Sequence, residues 1–186
     1  MSTGYKNTTA NRFAQLARMK ETLFHTNDLA NLWGIKDKNT LYTTLKRYVQ
    51  KGLLFRVHKG FYSLKKVEEV DPYLLGVKFL NRFVYLSVET VLFEEGIIFQ
   101  KPCFISLISS RSRSFSAAGH TFKSRQLKDE FLYNLAGIEL KEGYYKASPE
   151  RAVADLLYFN PEFYFDGRDL INWTRVKEIQ IEVGYK

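Results

Sequence analysis

The chain has 186 residues, 45% hydrophobic and 16% aromatic, enough to bury one large core or two small ones, which excludes wholesale disorder. A single cysteine, Cys103, excludes an intrachain disulfide and a cysteine-based zinc site, and it fits a reduced, cytoplasmic setting. The formal charge of +8 is uneven: residues 1–66 hold thirteen Lys/Arg against three Asp/Glu, a net of +10, while residues 67–186 hold fifteen against seventeen, a net of −2.

The opening "MSTGYKNTTANRF" is polar and lacks the apolar core of a signal peptide, and no apolar run approaches the roughly 20 residues that span a bilayer. Residues 11–20, "NRFAQLARMK", place Phe13, Leu16, Ala17 and Lys20 at helical spacing and predict a first helix. "TLFH" (22–25) reads as a strand. "TNDLANLWG" (26–34) reads as a helix capped by Thr26 or Asn27 and stopped by Gly34. The next helix is capped by Asp37 or Asn39 and runs through "NTLYTTLKRYVQ". "LLFRV" and "GFYSL" then form a hairpin about "HKG", with Gly60 at the turn. Helix, strand, helix, helix, hairpin is the order of a winged helix-turn-helix.

The third of these helices carries the strongest functional signal. At about 100° per residue, Leu41, Leu45, Tyr48 and Val49 share one apolar face. Asn39, Thr40, Thr43, Lys46, Arg47 and Gln50 share the other, and no Asp or Glu occurs between Asp37 and Glu68. An amide, hydroxyl and cation face without acids suits a duplex groove, since Asn and Gln pair with adenine, Arg and Lys with guanine, and Thr with a thymine methyl or a phosphate. Asn39, Thr40 and Thr43, near the helix start, are the expected base readers. Lys38 is an expected DNA contact, Lys46, Arg47 and Lys51 are expected on phosphates, and Arg56, His58 and Lys59 are expected to meet the backbone or minor groove from the hairpin tip. An anionic membrane surface is the weaker alternative partner, because the apolar helix face is needed for the core.

"KKVEEVDP" (65–72) reads as the linker, with the charge balance flipping across it. "PYLLGVKFL" and "SVETVLFEEG" read as helices, the latter capped by Ser87, and "CFISLIS", "GHTFKSRQL", "AGIEL" and "GYYKAS" as strands. "SPERAVADLLYF" (148–159) is a helix with Ser148 as cap, Pro149 in first position and Ala152, Val153, Leu156 and Leu157 buried. Glu150 suits that helix's N-terminus, and Arg151 and Asp155 are spaced to pair at i,i+4. The expected fold class is α+β: a winged helix-turn-helix over 1–66, a linker over 67–72 and a mixed α/β domain over 73–186.

A second acid-free basic patch comprises Arg111, Arg113, Lys123, Arg125 and Lys128, expected on a strand pair and its loop. It reads either as solvated hairpin charge or as a contact with DNA, RNA or an acidic protein face. Cys103 and His120 read as a core cysteine and a surface histidine rather than a nucleophile and base. Glu139-x-Lys141, with Asp129 and Glu130, is a fragmentary match to a metal-dependent nuclease, the alternative reading of the chain. No phosphate loop, cofactor or metal site is expected.

The segment "TNDLANLWGIKDKNTLYTTLKRYVQKGLLFRVHKGFYSL" resembles the N-terminal winged-helix domain of AbiEi antitoxins, from type IV toxin–antitoxin (abortive infection) systems. "YLSVETVLFEEGII" (85–98) and "ASPERAVADLLYF" (147–159) are similar to segments of that family's second domain. The resemblance implies a non-enzymatic repressor of its own operon, binding double-stranded operator DNA, with roles in antitoxin action and phage defence. It also implies a nucleotidyltransferase-like toxin as functional partner, countered without need of a stable complex.

Overall fold

The structure, a computed structural model, describes residues 9–185, so the expectation drawn from the first eight residues lies outside it. The fold is mixed α+β, with eight α-helices and two sheets among the described residues. It divides into two compact units, Met1–Val70 and Asp71–Lys186.

The first unit runs α1 (Thr9–Arg18), β1 (Leu23–His25), α2 (Thr26–Trp33), α3 (Lys38–Gln50), β2 (Phe55–His58) and β3 (Phe61–Ser63). α1 starts and ends earlier than its periodicity suggests: Leu16 is buried, but Ala17 is exposed and Lys20 lies beyond the helix. Two aromatic donors hold α1 down, Trp33 Nε1–H to the Arg12 carbonyl at 3.4 Å and the Tyr48 hydroxyl to the Thr9 carbonyl at 3.0 Å. Leu16, Phe24, Leu29, Trp33, Leu41, Leu45, Tyr48, Leu54 and Tyr62 form one core. The antiparallel sheet is ordered β1-β3-β2, with β3 central and wholly buried.

Of the two expected caps, one differs and one is as expected. The N-cap of α2 is His25, whose backbone N–H donates to Asp28 at 2.8 Å. Thr26 instead serves the hairpin: its N–H and its hydroxyl both donate to the Gly60 carbonyl, at 2.9 and 3.1 Å. The β2–β3 turn needs the positive φ of Gly60 (+77°), and Thr26 then fixes that turn against the start of α2. At the other cap, Asp37 begins α3 by accepting the Thr40 N–H at 2.8 Å.

Segment 67–72 is not an extended tether. It holds a 3₁₀ turn at Val67–Glu69 and the buried Val70, and its last two residues open a helix. Asp71 accepts the Tyr73 N–H at 2.9 Å and Pro72 takes the first helical position, the arrangement in which proline loses no hydrogen bond.

The second unit runs α4 (Pro72–Phe79), β4 (Val84–Leu86), α5 (Glu89–Glu94), β5 (Ile105–Ser109), β6 (Arg113–Ala117), β7 (His120–Gln126), α6 (Asp129–Leu132), β8 (Ile138–Lys141), β9 (Tyr144–Ala147), α7 (Pro149–Phe159) and α8 (Trp173–Val183). One six-stranded mixed sheet, ordered β6-β7-β5-β4-β9-β8, forms its middle layer. On one face α4 approaches so closely that a Cβ at Gly76 would lie 2.4 Å from the Phe122 ring. On the other, Asp155 of α7 accepts the Tyr85 hydroxyl from β4 at 3.1 Å.

The helix expected over 87–96 is shorter than its pattern, and Ser87 does not cap it. α5 begins after Val88, whose φ of 47° is a strained conformation for a β-branched residue. Ser87 donates instead to the buried Asp155 carboxylate at 2.7 Å. A buried carboxylate loses more by going unpaired than an exposed helix end does, so it takes the hydroxyl. Ser148 does cap α7, accepting the Arg151 N–H at 3.2 Å, while Leu157 is only half-buried.

Candidate functional site

Asp37 organises the exposed face of α3 from its first turn. The Thr40 hydroxyl (2.6 Å) and then the Thr40 N–H hold its carboxyl below the ordinary aspartate range. Thr40 is therefore committed to the cap, and its carbonyl accepts the Thr44 hydroxyl at 2.8 Å. That leaves Asn39, Thr43 and Arg47, an i, i+4, i+8 row, as the outermost stripe, with Lys38, Lys46 and Lys51 also exposed. Among the described residues Lys38, Lys46, Arg47, Lys51, Arg56 and Lys59 enter no ion pair.

Arg56, His58 and Lys59 are exposed on the hairpin, with the His58 ring 3.4 Å from the Lys59 carbonyl. Between hairpin and helix lies a pocket of about 510 Å³ lined by Tyr42, Lys46, Val49, Gln50, Arg56, Lys59, Gly60 and Tyr62. Its helix wall is again one stripe, since residues 42, 46, 49 and 50 recur at helical spacing. Its hairpin wall joins Arg56 to Tyr62, which face each other across β2 and β3. Burial raises the Tyr62 phenol above its ordinary value against the opposing pull of Arg56, so the hydroxyl stays protonated at neutral pH. Tyr42 is 55% exposed and Tyr62 6% exposed. Neither tyrosine stands out in the sequence, because Tyr42 borders the apolar face of α3 and Tyr62 sits in a short apolar strand. The signal that exposes them is their spacing to cations once the hairpin folds back.

The second basic patch does not form one surface. Arg113 pairs with Ser124 across β6 and β7 and so shares the face of the buried Phe122, its guanidinium 5.6 Å from the Phe79 ring centre. Lys123 and Arg125 alternate onto the opposite face. Arg125 is ion-paired with Glu89 and lies over Phe159, Lys123 lies 5.2 Å from the Phe104 ring centre, and Lys128 is 3.7 Å from Glu130. Arg111 is exposed at the lead into β6, and its carbonyl accepts the Ser124 hydroxyl at 2.7 Å.

Cys103 and His120, read as a core cysteine and a surface histidine, are both exposed and line one pocket of about 420 Å³ with Tyr73, Glu94, Lys101 and Thr121. Glu94 in that pocket is held by the Tyr73 hydroxyl and by Lys146 at 2.7 Å. Glu139 is exposed on β8, an edge strand, and Asp129 and Glu130 open α6. Among the described residues no three His, Cys, Asp or Glu side chains are grouped to hold a metal ion.

Arg151 and Asp155 do pair, at 2.8 Å, but with no solvent exposure at all. Arg151 also donates to the carbonyls of Asn134 and Ala136, at 3.0 and 2.9 Å, and to the Tyr85 hydroxyl at 2.9 Å. Asp155 accepts hydroxyls from Ser87, Tyr85 and, at 2.5 Å, Tyr185. Burial works against the guanidinium's charge, yet Asp155, Tyr85 and Tyr185 together offset it and hold Arg151 above its ordinary value. The cluster is closed and satisfied, so it is a fastening of the second unit rather than an accessible surface.

No helix is long and apolar enough to cross a membrane among the described residues. No protein-family model matches the chain, and no curated protein matches it.

Proposed function

We propose that the chain is a sequence-specific binder of double-stranded DNA that regulates transcription, with its first unit acting as a winged helix-turn-helix. The observation that carries this reading is the Asn39–Thr43–Arg47 row, flanked by five further cations that have no ion-pair partner among the described residues and set beside a hairpin pinned to α2. Cations left without internal partners retain their attraction for phosphates, and each phosphate contact releases counterions. Asn39 and Arg47 supply bidentate chemistry toward adenine and guanine edges, and Thr43 between them suits a thymine methyl. Arg56, His58 and Lys59 meet the adjacent backbone from the hairpin. No catalytic role is assigned to the chain.

Under the same proposal the second unit is the antitoxin module that counters a nucleotidyltransferase-like toxin, encoded with it in an operon it represses, in the cytoplasm. The support for that part is the resemblance of segments 85–98 and 147–159 to AbiEi antitoxins. Lys123 and Arg125 are then the members of the second basic patch that share one face.

Selection of duplexes from a random pool by the full chain tests the proposal. A recurrent motif should emerge, and its enrichment should vanish for Asn39→Ala. Recovery of random sequence after repeated rounds would sink specific binding.

A further inference from the structure

The pocket between α3 and the β2–β3 turn has a composition that reading a duplex does not require. A major-groove reader presents a convex helix. Here the helix flank and the hairpin enclose about 510 Å³, within the usual size of a small-molecule site. Its lining combines two tyrosines, three cations (Lys46, Arg56 and Lys59) and the Gln50 amide, with no carboxylate. The cations call for an anion of more than one charge. The tyrosines call for a planar, apolar group beside it. The pocket is also preformed, because Thr26 fixes the Gly60 turn through two hydrogen bonds to one carbonyl.

We propose that this pocket binds a nucleotide, its base against Tyr42 and Tyr62 and its phosphates among Lys46, Arg56 and Lys59. Two sources share this chemistry, a free nucleoside triphosphate and an unpaired, 5′-phosphorylated nucleotide of a DNA strand. Gln50 at the pocket wall supplies both a donor and an acceptor for a base edge. One consequence rests on the duplex-binding reading: Lys46, Arg56 and Lys59 serve both ligands, so an occupied pocket weakens duplex binding.

Fluorescence titration of the full chain with mant-ATP tests this, with competition by unlabelled ATP, by inorganic pyrophosphate and by a short 5′-phosphorylated oligothymidine. Saturable binding is expected, with ATP or the oligonucleotide displacing the probe at least about tenfold better than pyrophosphate. Displacement by ATP identifies the free nucleotide, and displacement by the oligonucleotide alone identifies the strand. Tyr42→Ala, at an exposed position, should weaken mant-ATP about tenfold and leave pyrophosphate unchanged. Arg56→Gln should weaken both, and Thr43→Ala neither. Absence of mant-ATP binding at millimolar concentration overturns the proposal, as does pyrophosphate competing as well as ATP. A chain that binds duplex through Asn39 but takes no nucleotide refutes the pocket alone. A chain that takes nucleotide but no duplex refutes the duplex reading alone.

Discussion

At the scale of single residues, the outer stripe of α3 separates two kinds of contact that mutation distinguishes. Asn39→Ala should cost about 1–3 kcal/mol at a selected site while sparing random duplex, as measured by anisotropy on both. Arg47→Ala and Lys46→Ala should weaken both duplexes and lower the salt slope by about one unit each. Equal losses on both DNAs for Asn39→Ala would remove it as a base reader. Asp37 adds a pH signature. Its carboxyl is held below its ordinary value chiefly by the Thr40 hydroxyl. A group depressed in the folded state stabilises it above the unfolded-state value and loses that effect as pH falls through the folded value. Melting temperature should therefore drop below about pH 4 in the wild type and less steeply in Asp37→Ala. Parallel acid limbs for the two proteins would show that the cap does not titrate as the geometry requires.

Single elements show where local pattern was a sufficient guide and where it was not. The first unit was almost wholly legible, because α2 and α3 each have an apolar stripe of their own and a stop or cap beside it. The second unit was legible only in its longer pieces. β4 has three residues and no polar alternation, since all three are buried, so nothing separated it from the helix that follows. Ser87 looked like a cap because its competing partner, Asp155, lies 68 residues away. β6 became visible only through its pairing with β7, and α6, with four residues, is too short to show a period. α7 was recognised, yet the burial of its two charges was not, because a helix period says nothing about the carbonyls of Asn134 and Ala136 that receive Arg151. Tyr42 and Tyr62 were missed for a related reason: a pocket belongs to two elements at once. Arg151→Met should cost about 3–5 kcal/mol, since it strands those carbonyls and leaves Asp155 without its cation. Thermal or urea unfolding of the full chain measures this, and a loss below about 1 kcal/mol would mean that hydroxyls alone suffice for Asp155.

For the whole molecule, the division after Val70 also divides the charge. The first unit has thirteen Lys/Arg against five Asp/Glu, and the second fifteen against fifteen, so the formal +8 belongs to the first. A fragment of residues 1–70 should unfold cooperatively and bind duplex with the salt slope of the full chain. A fragment that fails to fold, or a shallower slope, would mean that the second unit contributes to the core or the contact. The ring around Arg151 has a further consequence for how the chain is made. Its members are spread from Tyr85 to Tyr185, whereas the first unit's core cluster ends at Leu64. Domains fold as units during synthesis, the N-terminal one first. On an elongating polypeptide the basic unit can thus be complete and competent for anions while Asp155 still waits for Tyr185. A ribosome stalled before Tyr185 leaves a folded basic head attached to a second unit that lacks its final fastening, a species open to proteolysis at one end and still charged at the other.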